Sequence, residues 1–337
     1  MNPWPLDPLA PVDKIYATYD AREGSKSLPE LCLELLSEQK KTWLQLREGY
    51  ESLKNVRIRE IACDGFSVRV QHNPGRIRST MADVEEKAIN RRPCFLCINN
   101  LPEGQKGIFY RNLYLILCNP APVFPSHLTI SRLNHHPQVI AEHIDTLLRL
   151  AGDFGDHWTI LYNGPKCGAS APDHIHFQAI PSGQMLIEKE CLEEKNLTRI
   201  TKVDGVYILR ARGLGREIII IEGDDPAYIA SVFKRILATM KKDLHTDEEP
   251  MVSIAVFHKK ERWRLLVFPR AKHRPDAFFK EDNDRVVVSP AVIEMGGVII
   301  TPMEKDFEGL DAPDVEGIYR EVSLKASTVD SILAVMV

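Results

Sequence analysis

The chain has 337 residues, 44% of them hydrophobic, and a formal net charge of −4. That length fills one large core or two ordinary domains, and the near balance of charge argues against a bulk nucleic-acid binder or a membrane-surface protein. No apolar run reaches membrane-spanning length, MNPWPLDPLA lacks the basic start and apolar core of a signal peptide, and seven scattered cysteines give no disulfide framework. A soluble, cytoplasmic, globular protein is expected.

Residues 1 to 25 are Pro-rich and aperiodic, which predicts an extended arm on the surface. LPELCLELLSEQKKTWLQLREGYESLKN has the composition and apolar spacing of one helix or two. Short β-rich segments follow, GFSVRVQHN, LYLILCN and SHLTISRL, separated by Pro and Asn. Val139, Ile140, His143, Ile144, Leu147 and Leu148 form one stripe and predict a helix from Gln138 to Leu150. Two strands come next, WTILYN and HIHFQAI, with a loop of small residues between them. The second half repeats this order. VYILRAR and REIIIIEG read as strands, DDPAYIASVFKRILATMKKDL as a helix with an Asp cap and a first-turn proline, and VSIAVFHKKERWRLLVFP as two strands. Placing Pro181 over Pro269 sets His174 over Arg262, His176 over Arg264 and Gln178 over Leu266. One copy of a duplicated unit thus carries a His-x-His-x-Gln face, and the other carries arginines there.

Alternate strand residues share a face, so His174, His176 and Gln178 are expected to project together. Such a polar group marks a site, because histidines are seldom buried without partners. The preceding NGPKCGAS supplies Gly164, Gly168, Ala169 and Ser170, small residues whose amides can approach phosphate oxygens. A neutral imidazole is a competent nucleophile toward phosphorus and leaves readily once protonated. The combination points to a nucleotidyl-histidine intermediate.

GASAPDHIHFQAIP resembles the active-site signature of the histidine-triad superfamily. The nearest likeness is to its transferase branch: galactose-1-phosphate uridylyltransferases, dinucleoside-polyphosphate phosphorylases and GDP-hexose phosphorylases. Gln178 stands where the hydrolase branch carries a third histidine, and PDHIH departs from the PHPH of the uridylyltransferases. RRPCFLCINN resembles the Cys-x-x-Cys segment of the uridylyltransferases, and LCNPAPVFPSHLTI with NHHPQ the first strands of a histidine-triad unit. EMGGVII and VFPRAKHRP resemble the phosphorylase C-terminal half, so that the likeness spans roughly residues 65 to 305. It implies an α+β fold, a duplicated histidine-triad-like αβ unit with antiparallel sheets and flanking helices. The expected division is an N-terminal arm and flanking helix (1–60), a catalytic half (61–200), a degenerate second half (201–305) and a C-terminal helical tail (306–337). The resemblance further implies His176 as the nucleophile, Gln178 as a hydrogen-bond donor to the phosphoryl group, and Ser170 with nearby amides as its cradle.

Cys94 and Cys97 could bind a metal, act in redox chemistry or be a pair of core cysteines; for the first, zinc takes about four N or S ligands. His174 and one of His127, His135 or His136 are the candidates to complete the set, and His135 is taken with His174 here. By resemblance to the uridylyltransferases the first histidine of the motif, His174, is a ligand of a structural zinc or iron; no organic cofactor is expected. A transferring phosphoryl group needs positive charge. HNPGRIRS offers Arg76 and Arg78, and FPRAKHRP offers Arg270, Lys272, His273 and Arg274. The phosphate- and nucleotide-binding candidates are therefore Asn163, Gly168, Ser170, Arg76, Arg270 and Lys272, beside the catalytic candidates His176, His174 and Gln178. The expected activity is nucleotidyl transfer or phosphorolysis on a nucleotide-sugar or dinucleoside polyphosphate. Partners are then a nucleotide donor and a phosphate or sugar-phosphate acceptor, with no nucleic acid or membrane; a homodimer is left open. Two rivals stand beside this reading: a nucleotide-conjugate hydrolase, against which Gln178 speaks, and a non-catalytic zinc-stabilised nucleotide-binding protein.

Overall fold

The computed structural model describes residues 12–22, 24–89 and 91–336. Its strands, in chain order, are β1 (Ile15–Tyr19), β2 (Arg57–Ala62), β3 (Ser67–His72), β4 (Gly107–Tyr110), β5 (Tyr114–Cys118), β6 (Leu128–Arg132) and β7 (Trp158–Asn163). There follow β8 (His176–Pro181), β9 (Leu197–Val203), β10 (Val206–Ala211), β11 (Ile218–Gly223), β12 (Val252–Lys259), β13 (Arg262–Pro269) and β14 (Val298–Thr301). Eleven of them form one sheet in the order β1-β4-β5-β6-β8-β7-β12-β13-β11-β10-β9, and β14-β3-β2 form a second. Of the Pro-rich opening, residues 1–11 lie outside the described residues, and Ile15–Tyr19 pairs with β4 as a parallel edge strand.

The sheet order itself carries the duplication. Read outward from the β7–β12 junction, one side runs β7-β8-β6-β5-β4 and the other β12-β13-β11-β10-β9, each with a helix inserted before its last two strands. Leu161 faces Gln178 across β7 and β8, and Ala255 faces Leu266 across β12 and β13, which puts Gln178 over Leu266 as the aligned prolines require. Leu161 and Ala255 are then equivalent, and they pair directly across the junction. A local two-fold axis therefore passes between them, and the two units form one continuous sheet.

Alternation along the strands gives this sheet two faces. Tyr162, Phe177, Ala179, Ile254 and Val256 point into a core closed by helices Leu28–Thr42, Ile144–Phe154, Pro226–Asp243 and Ala326–Ala334. Leu161, Ile180, Ala255 and Leu266 point the other way, into a core shared with the small sheet and the helix Ala312–Val322. Both C-terminal helices are thereby packed on the body. His176 and Gln178 alternate with Phe177 and Ala179, so they open toward the small-sheet side.

One local expectation is corrected, and an open one is resolved. The stripe from Val139 becomes helical only at Ile144, because the Glu249 carboxylate accepts the N–H groups of Ile140 and Ala141 (both 2.9 Å) and fixes a separate turn there. The helix runs on to Phe154, where Gly155 at φ +70° ends it. The long N-terminal helical segment divides at Trp43, whose extended backbone separates Leu28–Thr42 from Leu44–Ser52. Ser27 starts the first of these with a reciprocal bond pair to Glu30. Among the described residues no helix is long and apolar enough to cross a membrane.

Candidate active site

β8 begins at His176, two residues later than the sequence suggests, and this divides the motif. His176 and Gln178 face a cleft of about 700 Å³, whereas His174 sits in the connection before the strand and turns to the cysteine pair. The three side chains do not share one face. Ending the strand between His174 and His176 is what lets their side chains take different directions.

The His176 ring is 5% exposed. Its Nδ1 lies 2.8 Å from the His174 carbonyl, which only accepts, so Nδ1 carries the proton and Nε2 the lone pair. The strand start is clamped by Gln138: its Oε1 accepts the His176 N–H (2.8 Å) while its Nε2 donates to the carbonyls of His176 (3.1 Å) and Asn163 (2.9 Å). Burial lowers the His176 pKa below the ordinary imidazole value, with the His174 carbonyl opposing, which favours the neutral ring.

Gln178 is oriented by His127, a role the sequence did not disclose. His127 Nδ1 accepts the Val123 N–H (3.2 Å), so its Nε2–H donates to Gln178 Oε1 (2.6 Å), and the amide NH₂ of Gln178 is left as a donor. Burial, reinforced by Arg76, lowers the His127 pKa to about 3, which keeps this relay neutral.

Asn163, Gly168, Ser170 and Arg76 all line the cleft. Gly168 has φ +94°, and a Cβ there would sit 2.5 Å from that of Ala291, so no side chain is tolerated. Asn163 Oδ1 accepts the Val292 N–H (2.7 Å), which docks the second-half segment onto the loop. Arg76 is anchored on the Ala121 carbonyl (2.7 Å). Arg92, unremarked in the sequence although it precedes the cysteine pair, also lines the cleft; Nη2 bonds the Ser170 carbonyl (3.0 Å), and Nη1 is buried without a partner.

Arg270 and Lys272 are corrections. Arg270 is 1% exposed, and its guanidinium bonds the carbonyls of Val322, Pro290, Lys272 and His273 and the Ser253 hydroxyl, so it braces the C-terminal segments. Lys272 pairs with Asp276 (2.6 Å) and Glu321 (3.0 Å) at the surface. Neither lines the cleft. At the position equivalent to His176, Arg264 is paired with Glu222 and bonds the Cys191 carbonyl, and nothing nucleophilic is presented.

Cys94, Cys97, His135 and His174 offer ligand atoms that all lie within 4.8 Å of one another. His174 Nε2–H donates to the Arg132 carbonyl (2.7 Å), which leaves Nδ1 facing Cys94 Sγ (3.2 Å) and Cys97 Sγ (3.6 Å). His135 Nδ1 is 3.2 Å from Cys97 Sγ, and its Nε2 is 3.5 Å from Asp173. Two sulfurs and two correctly faced imidazole nitrogens form a closed set that could hold a metal ion. His127 serves Gln178 instead, and His136 accepts the Ile175 N–H through its carbonyl (2.7 Å).

Three buried or half-buried histidines outside the cysteine–histidine cluster have pKa values held well below the ordinary 6.5. Burial is the leading cause for His127 (about 3), His143 (about 4, aided by Arg132) and His273 (about 4, aided by Arg274). The unfolded chain binds protons at these groups near 6.5 while the fold does not, so stability declines as pH falls from about 6.5 toward 4. Urea unfolding at pH 7.5, 5.5 and 4.5 is expected to show this loss; equal midpoints across the series contradict it.

Residues 35–181 match the family model described as a domain of unknown function, DUF4922, and residues 198–336 match the model "GDPGP1-like, C-terminal domain". No curated protein matches the sequence. Among solved structures, yeast Ap4A phosphorylase Apa2 in complex with AMP is similar at 13% identity and a TM-score of 0.56, over 87% of this chain and 96% of that one. The same enzyme in complex with Ap4A gives 13% identity and 0.53, over 84% and 97%. An ADP-glucose phosphorylase from Arabidopsis thaliana with bound ADP-glucose gives 14% and 0.35, over 80% and 100%. The chain thus shares the overall fold of the yeast Ap4A phosphorylase.

Proposed function

We propose that the chain is a nucleotidyltransferase working as a phosphorylase on a nucleotide-sugar or dinucleoside polyphosphate. The observation that carries this reading is the fixed tautomer of His176, which turns an unprotonated Nε2 into a cleft lined by Gln178, Ser170, Arg76 and Arg92. The overall likeness to a yeast Ap4A phosphorylase supports it.

The reaction runs in two displacements. The Nε2 lone pair of His176 attacks the α-phosphorus, and the bond to the leaving phosphate breaks with its electron pair. The proton on Nδ1 stays against the His174 carbonyl, which steadies the imidazolium that forms. An oxygen of inorganic phosphate then attacks the same phosphorus, the P–N bond breaks, and the lone pair returns to Nε2. The Gln178 amide and the Nη1 of Arg92 supply hydrogen bonds and charge where the phosphoryl oxygens gather negative charge. Zinc held by Cys94, Cys97, His135 and His174 would be structural, fixing the backbone from which the His174 carbonyl projects.

Incubation with Ap4A, ADP-glucose, a GDP-hexose and a UDP-hexose, read by intact-protein mass spectrometry, tests the proposal. One donor is expected to add the mass of one nucleoside monophosphate, and inorganic phosphate then discharges it as the nucleoside diphosphate. Release as the monophosphate without added phosphate favours the hydrolase, and no adduct from any donor favours the binding protein.

Gln178→Leu is expected to lower kcat by about 10²–10³-fold, the usual cost of one donor to a transferring group, and Arg92→Met to raise KM as well. His127→Leu acts through Gln178, so the double variant His127→Leu/Gln178→Leu is no slower than Gln178→Leu alone. Additive losses in that cycle would show that His127 acts on its own.

A further inference from the structure

A second cavity, of about 590 Å³, lies in the other half and shares no lining residue with the cleft. Its walls are the β10–β11 connection, the β2–β3 turn and the segment Arg320–Ala326. By the local two-fold, the β10–β11 connection is the counterpart of the β5–β6 connection, whose Asn119, Ala121 and Val123 wall the cleft around His176. The duplicated scaffold therefore keeps a cavity at an equivalent place with different chemistry in it.

That chemistry is cationic. Arg210, Arg212, Arg216, Arg320 and Lys325 line the cavity against Asp64, Glu217 and Glu316. Arg210 is taken up by Glu217 and by Asp330. Among the described residues the Arg212 guanidinium bonds only the Thr198 hydroxyl (3.2 Å), and Arg320 and Lys325 have no carboxylate partner. Arg216, with a side chain 0% exposed, is fixed by the carbonyls of Met295 and Leu214 (both 2.5 Å), and its Nη2 makes no hydrogen bond, with Glu190 3.5 Å away. Ser323, 6% exposed, contributes a hydroxyl that is buried without any partner. Arg216 is thus held by the Glu190 ion pair, whereas a buried hydroxyl such as that of Ser323 is ordinarily satisfied, and here it lines a cavity with unneutralised cations at its rim.

We propose that this cavity is a second anion site that takes the phosphate group of a small molecule. Guanidinium forks and a hydroxyl match phosphate oxygens better than they match a carboxylate-free apolar ligand. The volume falls in the range of small-molecule sites, and Phe66, Leu214 and Leu324 give an esterified phosphate an apolar wall for its remainder. Arg320 and Lys325 are exposed, so Arg320→Glu/Lys325→Glu removes the rim charge without touching a core.

Crystals of the full chain soaked in tungstate, a phosphate mimic with a strong anomalous signal, test this directly. A peak is expected among Arg212, Arg320 and Lys325, and it falls below detection in Arg320→Glu/Lys325→Glu. Competing soaks with inorganic phosphate and with glucose 1-phosphate distinguish the two sources: displacement by the ester at a tenfold lower concentration assigns an esterified ligand, and equal displacement assigns free phosphate. No peak in the wild type, a peak that survives the double substitution, or one that neither competitor displaces overturns the proposal.

Discussion

His176→Ala is expected to abolish the nucleotide adduct on the intact protein and to lower turnover by at least about 10⁴-fold, the scale set when a catalytic nucleophile is deleted. The fold should survive the change. Gln138 holds the backbone of residue 176 through its amide and carbonyl, and neither bond involves the ring. Phe177 and Ala179 keep their places in the helix-covered core. A thermal midpoint close to that of the wild type, with no adduct from any donor, is the expected pair of results. Turnover at the wild-type rate would show that the ring is not the nucleophile, whatever its position in the cleft. Arg264→His, at the equivalent place in the other unit, makes the converse point. That side chain faces Glu222 and the Cys191 carbonyl rather than an open cleft, so a histidine there should form no adduct.

Much of this arrangement is legible in the sequence. The duplication could be read from two apolar strands ending in Pro181 and Pro269, because a strand's two-residue period fixes register once one landmark is shared. His176 and Gln178 could be read for the same reason. What strand periodicity could not show was where β8 begins, and so His174 was placed on the wrong face; its direction is set by Cys94 and Cys97, some eighty residues distant. Arg270 was misplaced because a cation in a sequence carries no sign of whether it meets phosphate or carbonyl oxygens. It lies beyond the aligned proline, where Ser253 and the segments holding Pro290 and Val322 converge on it. The contact of Arg92 and the bond that draws His127 from the metal candidates to Gln178 escape the sequence for the opposite reason: each is a long-range contact, to Ser170 and to Gln178, that no local pattern records.

The cysteine–histidine cluster leads to the other large effect. Purified chain is expected to carry one zinc or iron per molecule by elemental analysis, and Cys94→Ser/Cys97→Ser to carry none. Structural zinc sites in small peptides bind with apparent free energies of about 10–16 kcal/mol, comparable with the whole stability of an ordinary domain, about 5–15 kcal/mol. The loss should nevertheless stay local, because the cluster is bounded by Leu96 and Ala171 and lies apart from both large cores. Protease cleavage near Cys94–Cys97 is therefore expected to rise sharply while the sheet still unfolds cooperatively. Activity should fall with it. His174 is both a cluster member and the owner of the carbonyl that holds His176 Nδ1, so a loosened cluster lets the nucleophile's tautomer and direction drift. His135→Ala, which removes the more exposed ligand and leaves His174 in place, should weaken metal retention by more than the roughly 10–100-fold that loss of an outer-shell partner costs, and spare more of the transfer rate than the double-serine variant. A double-serine variant that keeps its metal would place the ion elsewhere, and one that loses the metal yet resists protease as the wild type does would deny the cluster its structural part.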